Sequence, residues 1–254
     1  MVPETITPLS DWNSSKTTRR WPSVTIIIAA TQTMGMSFER HLPWPKLKRE
    51  HNYFESTTKR VASNRTMNAV IMGYNTWDKE PTKRYPDRIG VVVTREPEKV
   101  RARLRDDHRK GFVHIATSIP GAVELLEKTY PYPNEQEKEL WHGSLGPASG
   151  NGNQGAYEYG KNDLPCLGRI FIIGGAGFCR DALKISWVDR LLLTRVMADF
   201  KSDTFFPLLL DGRGNEQWRR QSDNAFLKWG GADIPIGVQW ENGIEWEAYM
   251  FERV

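Results

Sequence analysis

Cysteine is scarce in this sequence: Cys166 and Cys179 are the only two in 254 residues. They form neither a CxxC pair nor a Cys/His spacing suited to zinc, so no metal is expected. Two thiols cannot staple a chain of this size, which points to a reducing, cytoplasmic setting. No apolar run approaches the roughly 20 residues that span a bilayer. The first residues lack a charged stretch followed by an apolar core, so no secretory signal is expected. Charge of one sign is also lacking. The 35 basic and 31 acidic residues give a formal +4, too little to argue for nucleic acid. The densest basic stretch, Arg95 to Lys110, holds seven basic and four acidic residues. It reads as a solvated face or, failing that, as a seat for a nucleotide rather than a polymer. Nucleophile elbow, HExxH and paired catalytic carboxylates are missing.

What is present is ordinary in amount and specific in order. Hydrophobic residues are 39% and charged residues 26%, the composition of a globular chain that can bury about 70–75% of its unfolded surface. Residues 1–22 are polar and weakly patterned and read as an extension. From Val24 to Ala30 the chain is apolar and β-branched, as in a buried strand. Similar runs follow at Ala69–Met72, Ile89–Val93, Phe112–Ile115, Arg169–Ile173 and Leu191–Val196. The first five of the six are near-continuous rather than alternating, as in a sheet covered on both faces. Gly237–Trp240 and Trp246–Phe251 read as an antiparallel hairpin. Helices are expected at Leu47–Thr58, at Ala122–Lys128 with Ser118 as cap and Pro120 near the first turn, and at Gly177–Lys184. Strands alternating with helices predict one α/β domain, from 23 to 254, with a mostly parallel sheet of about eight strands and helices on both faces. Tyr130 to Gly168, rich in Pro and Gly, reads as a surface insertion mobile in its Gly/Asn/Ser part.

Three turns and one helix carry chemistry. Leu47, Glu50, His51 and Phe54 fall on one helical face, and the apolar members mark it as inward. A carboxyl there has a raised pKa and handles protons near neutrality; the plainer alternative is that Glu50 sits at the stripe's edge and reaches water. Gly174-Gly175-Ala176-Gly177 joins a strand to a helix, as a phosphate-approaching turn would, or simply as a packing turn. Gly73-Tyr74-Asn75-Thr76-Trp77 ends a second strand in the same way. Thr94-Arg95 ends a third, where a basic residue can grip the 2′-phosphate that separates NADP from NAD.

These residues together resemble the dihydrofolate reductase family in its eukaryotic, fungal-type form. The resemblance rests on Met34-Gly35 with Leu42-Pro43-Trp44-Pro45, then Glu50 and Tyr53-Phe54, then Val70–Gly73 with Thr76-Trp77. It continues through Val93-Thr94-Arg95, Ile172–Ala176, Leu193–Val196 and Ser202–Pro207. It implies a dihydrofolate-reductase-like sheet with a C-terminal antiparallel hairpin, in a monomer. The implied reaction is NADPH-dependent reduction of 7,8-dihydrofolate to tetrahydrofolate by hydride transfer to a pterin C=N bond. Glu50 then stands at the family's acid, Thr194 at its hydrogen-bonding threonine and Trp44 at the tryptophan beside it. Ile28, Ala29, His51, Phe54, Pro81 and Ile173 would line the pterin pocket, and Arg88 would grip the substrate's glutamate carboxylate. NADPH would lie on Ala29, Gly35, Met36, Leu42, Gly73, Tyr74, Asn75, Thr76, Thr94 and Arg95, and on Gly174, Gly175, Ala176, Gly177 and Phe178, with a cis Gly174–Gly175 peptide. Met34 to His41 would be the loop that closes over nicotinamide.

Several residues depart from the family pattern. Ser37 and Arg40 replace the Gly-x-x-Gly core of the loop, and His41 stands where Asp or Asn is usual. His51 replaces an apolar residue and could pair with Glu50, lowering its pKa. Tyr74 and Asn75 replace basic residues, Lys79-Glu80 a Ser-Ile pair and Cys179 a tyrosine, and Tyr85–Arg88 is two residues short. The alternative is therefore a diverged relative that keeps NADPH but reduces another small molecule or confers antifolate resistance. A non-catalytic binding relative is a third reading.

Overall fold

Seven consecutive residues with branched or small apolar side chains cannot all face one side of a strand. They form a sheet only where both faces are covered. The computed structural model describes residues 23–61, 63–79, 85–104, 112–133 and 164–254, and shows such a sheet. Along the chain run β1 (Val24–Thr31), β2 (Gly35–Ser37), α1 (Lys48–Lys59), β3 (Thr66–Gly73), α2 (Tyr74–Lys79), β4 (Arg88–Val93), α3 (Pro97–Leu104), β5 (Val113–Ala116) and α4 (Ile119–Thr129). Then come β6 (Cys166–Ile172), α5 (Ala176–Ala182), β7 (Val188–Val196), β8 (Thr204–Phe205), β9 (Trp218–Arg220), α6 (Asp223–Gly230), β10 (Gln239–Glu241) and β11 (Ile244–Arg253).

Eight strands lie in the order β10-β11-β7-β1-β6-β3-β4-β5, with β9 as a ninth paired to β11; β2 and β8 form a separate ribbon. From β7 to β5 every pairing is parallel, and β11 is antiparallel to β7. Alternate side chains of one strand go to opposite cores. Ile26 and Ile28 pack with Ile71, Ile172, Leu193 and helices α4 and α5. Ile27 packs with Val70, Phe171, Leu192, α1 and α6. Full burial of each such side chain contributes roughly 1.5–3 kcal/mol before entropy is counted.

The connections position the site. Helix α1 carries the chain from β1 past one strand position to β3, and β6 later fills the gap. The connection after β3 runs away from β1, and the connection after β6, through α5, runs back across it. This reversal between neighbouring strands opens a crevice at their carboxyl ends. Gly73 N donates to Gly174 O across it at 3.2 Å.

Several expected boundaries move. Strand β6 begins at Cys166, inside the stretch expected as an insertion: Leu167 is buried and its N–H donates to Pro131 O, and Tyr130 is buried too. The rest of that stretch, 134–163, and the extension 1–22 lie outside the described residues. Strand β5, expected to be covered on both faces, is the sheet's edge and only half-buried along Val113–Ile115. Helices α2, α3 and α6 and the short β2, β8 and β9 were not expected.

Candidate active site

Helix α1 begins without a side-chain cap of its own. Its free N–H groups are met instead by Glu241 of β10, whose carboxylate accepts from Lys48 N and, at 2.9 Å, from Arg49 N. Asn242 of the hairpin turn donates to Lys46 O at 3.0 Å. The hairpin thus fixes the first turn of α1, which carries Glu50. Glu50 is half-buried, and its carboxyl is pushed up to about 7. Burial is the largest cause. A hydrogen bond from the Thr194 hydroxyl opposes it, and the nearby Glu241 charge adds to it. Thr194 is buried in β7 directly beside Ala29 of β1. Half-buried Ala29, Phe54 and Ile173 give the acid's side of the sheet apolar surface, whereas Ile28, expected to line the same pocket, alternates to the opposite face of β1 and packs into the core under α4 and α5. Trp44 is buried on the approach to α1, its ring 6.5 Å from that of Phe200.

Beside this acid the crevice offers backbone rather than side chains. Gly174 holds φ of +111°, a left-handed conformation that favours glycine. The Gly174–Gly175 peptide is cis. A Cβ on either glycine would meet only the Thr76 hydroxyl, at 3.9 and 3.7 Å, and one on Gly177 would meet nothing within 4 Å. The turn is therefore an open cradle leading into α5. Next to it lies a cavity of about 320 Å³ lined by Thr94, Arg95, Ser118, Phe178 and Asp181 among others. Thr94 is buried and accepts from Glu96 N at 3.0 Å, while Arg95 is exposed at the mouth. Asn75 is exposed, and Tyr74 leans on Trp77 with ring centroids 5.9 Å apart.

The loop 34–41 rests on the ribbon of β2 and β8. Gly35 donates to the Thr31 hydroxyl at 2.9 Å, and a Cβ there would fall 2.2 Å from Ser202 Oγ. Glu39 N donates to Asp203 Oδ2 at 2.7 Å, a bond that holds the Asp203 carboxyl below its ordinary range. Arg40 takes φ of +67° and pairs with Asp78 of α2 at 3.6 Å. A non-glycine residue in that region costs roughly 1–2 kcal/mol, and an exposed ion pair contributes at most about 1. Met36 is half-buried and Leu42 exposed.

A dihydrofolate reductase of Pneumocystis carinii is 31% identical over 237 residues, spanning 91% of this chain and 97% of that protein. The chain belongs to the dihydrofolate reductase family. It is an oxidoreductase of that type. The Sus scrofa dihydrofolate reductase is 28% identical, over 89% of this chain and 96% of its own length. The solved structure of Schistosoma mansoni dihydrofolate reductase superposes with a TM-score of 0.58 at 23% identity, over 91% of this chain and 97% of that one, and so shares the fold. No protein-family model matches the chain.

Within the reductase frame, three expectations besides that for Ile28 change. His51 was expected on the inward face of α1 and is exposed, its ring 6.4 Å from Phe54. The helix is turned so that Tyr53, Thr57 and Thr58 are buried instead. His51 therefore does not depress Glu50, whose pKa rises. Cys179 is fully buried in α5, where burial pushes its thiol up to about 12, so its sulfur packs rather than lining the crevice. Arg88 is enclosed at the start of β4 and already engaged. Its Nη2 donates to both carboxylate oxygens of Glu55, at 2.9 and 3.1 Å, and its Nη1 to Thr58 Oγ1 at 2.7 Å. Pro81 lies outside the described residues. Sequence reasoning missed Glu241 and Glu55. Asn242-Gly243, a two-residue hairpin turn with both φ positive, is the signal that would have placed Glu241 at the hairpin's end.

Proposed function

We propose that this reductase converts 7,8-dihydrofolate to tetrahydrofolate, using NADPH, as a cytoplasmic monomer. The observation that carries the reading is Glu50: a half-buried carboxyl poised at about 7, at the strand ends that also carry the glycine cradle. Burial keeps a large fraction of Glu50 protonated at neutral pH, so it can hold a pterin ring by hydrogen bonds and deliver a proton toward the ring nitrogen beside the reduced carbon. Thr194 fixes the carboxyl's orientation, and Trp44 closes the approach. Ala29, Phe54 and Ile173 supply the flat apolar walls that a fused ring needs, with His51 at the rim.

The residues present fit NADPH. The open surface over Gly174, Gly175, Ala176 and Gly177 admits a diphosphate at the N-terminus of a helix, and the cavity beside Thr94, Arg95 and Phe178 has room for an adenosine. Gly73, Tyr74, Asn75 and Thr76 form the facing wall, with Thr76 nearest the cradle. Gly35, Met36 and Leu42 belong to the loop that would cover the nicotinamide end. When bound, NADPH supplies the hydride. Cys166 and Cys179, which form no disulfide, suit a reducing compartment.

Loss of NADPH absorbance with dihydrofolate, run beside NADPH binding by fluorescence, tests the reading. Rapid oxidation that depends on both compounds is the expected result. Tight NADPH binding with no turnover of dihydrofolate would replace it by the second reading, a relative that reduces another C=N compound. The engaged Arg88 is the observation that favours that second reading.

A further inference from the structure

Helix α1 runs from the acid toward a compact group of charges. Glu50 and Phe54 are one turn apart on its groove side, and Glu55 follows. Arg88 lies next along the same groove, its Cζ 6.0 Å from the centre of the Phe54 ring and 5.1 Å from that of Tyr85. The guanidinium is completely enclosed, whereas the Glu55 side chain keeps 27% of its surface in water. Every edge of the guanidinium has a partner. Nε donates to Pro86 O at 3.1 Å, Nη1 to the Thr58 hydroxyl at 2.7 Å, and Nη2 to both Glu55 oxygens. Thr58 in turn gives its own proton to Phe54 O at 2.8 Å, which leaves its lone pairs for Arg88. Lys59 braces the pair: its Nζ is 2.7 Å from Glu55 and 3.9 Å from Asp87. Two cations and two anions therefore cancel where the groove ends. Burial works against the Glu55 charge, but Lys59 and Arg88 together hold its carboxyl below the ordinary range, so it is an anion at neutral pH.

We propose that Glu55, by occupying the buried guanidinium of Arg88, makes this reductase indifferent to a carboxylate on the substrate's tail, so that ring substrates with charged and with uncharged distal ends bind alike. The inference rests on the proposed reading that a pterin-like ring lies along α1 beside Glu50. A carboxylate arriving at this end meets no net charge, because Lys59 and Arg88 already balance Glu55 and Asp87. To reach Arg88 it would have to expel Glu55 from a bidentate pair, stranding that carboxylate against the new anion. Charged and uncharged tails are therefore left with the same contacts, the apolar faces of Phe54 and Tyr85.

The test compares folate with its α,γ-diamide, two ligands that differ only in tail charge, by quenching of tryptophan fluorescence in the full-length protein. In the wild type the two should bind within about threefold of each other, and their ratio should not move as salt rises from low to about 0.3 M, where surface electrostatics are screened. Glu55→Gln frees one edge of Arg88 and removes the opposing charge. It should tighten folate about tenfold over the diamide, with a margin that shrinks in salt. Wild-type protein that already prefers folate tenfold or more, with a salt-dependent margin, overturns the proposal whatever the variant's folding. So does a Glu55→Gln protein, shown folded by its melting curve, in which both ligands shift equally. Failure of both ligands to bind the wild type would instead fail the pterin reading and take this inference with it.

Discussion

A carboxylic acid can pass on a proton only if it still holds one at the working pH, and Glu50 does so because it is half-enclosed by apolar side chains. Its pKa of about 7 fixes the sign of the pH dependence. The protonated fraction falls as pH rises through 7, so kcat/KM should fall with it, approaching tenfold per pH unit above the midpoint. Glu50→Gln keeps the shape and removes the proton. Turnover at neutral pH should drop by at least about a hundredfold, and the falling limb should vanish while NADPH affinity stays within about twofold. Equal turnover in both proteins would end the proton role. The two groups that act on Glu50 pull in opposite directions, which gives a sharper check. Thr194→Val removes a donor to the carboxylate, so the midpoint should move above 7. Glu241→Gln keeps an oxygen for the Lys48 and Arg49 amides but removes a nearby negative charge, so the midpoint should move below 7. Midpoints that move the same way in both variants would refute this account. Helical spacing alone put Glu50 on the inner face. It could not place Glu55, because a glutamate near the end of α1 reads as solvated until β4 brings Arg88 against it.

At the level of elements, long strands were legible, as were the short β5 and β10, but three short strands were not. A strand of seven or eight apolar residues carries its own signal. Strands β2, β8 and β9, of two or three residues, exist only because a neighbouring segment pairs with them. Helix α6 did carry a signal that went unused: Ser222 caps it, accepting from Ala225 N at 3.2 Å, and Asp223 opens its first turn. Helix α3 likewise opens on Pro97, a favoured first-turn residue. The β2–β8 ribbon matters because it seats the loop 34–41. Gly35 is the close contact in that ribbon, since a Cβ would lie 2.2 Å from Ser202 Oγ, 2.7 Å from Ser202 Cβ and 3.0 Å from Thr31 Oγ1. Gly35→Ala should therefore push the ribbon apart, costing about 1–3 kcal/mol as overpacking does. If the loop covers the nicotinamide end, NADPH should also bind several-fold more weakly. A variant that melts and binds NADPH like the wild type would show that the ribbon does not set the loop.

For the whole molecule, the parallel sheet and its two cores followed from the sequence, but the strand order did not, because no run of residues says which neighbour it will take. That order places β3 and β6 side by side with their connections diverging, and so brings Gly73, Thr94-Arg95 and the Gly174 cradle to one crevice although they are far apart in the chain. A ligand spanning that crevice ties several strands together, so its affinity should be readable as global stability. Free ligand at 100 times its Kd stabilises the folded state by about 2.7 kcal/mol, which for a chain of this size corresponds to a rise in melting temperature of roughly 5–10 °C. NADPH at that excess should give such a rise, and NADH at the same concentration a much smaller one. The difference should depend on Arg95, which is exposed at the mouth of the cavity and free to meet a 2′-phosphate by a charge-assisted, salt-sensitive bond. Arg95→Ala should bring the NADPH shift down toward the NADH shift and leave the ligand-free melting temperature nearly unchanged, because an exposed side chain contributes little to the fold. A variant in which both shifts fall by the same amount would place the selectivity for the phosphate elsewhere on the crevice.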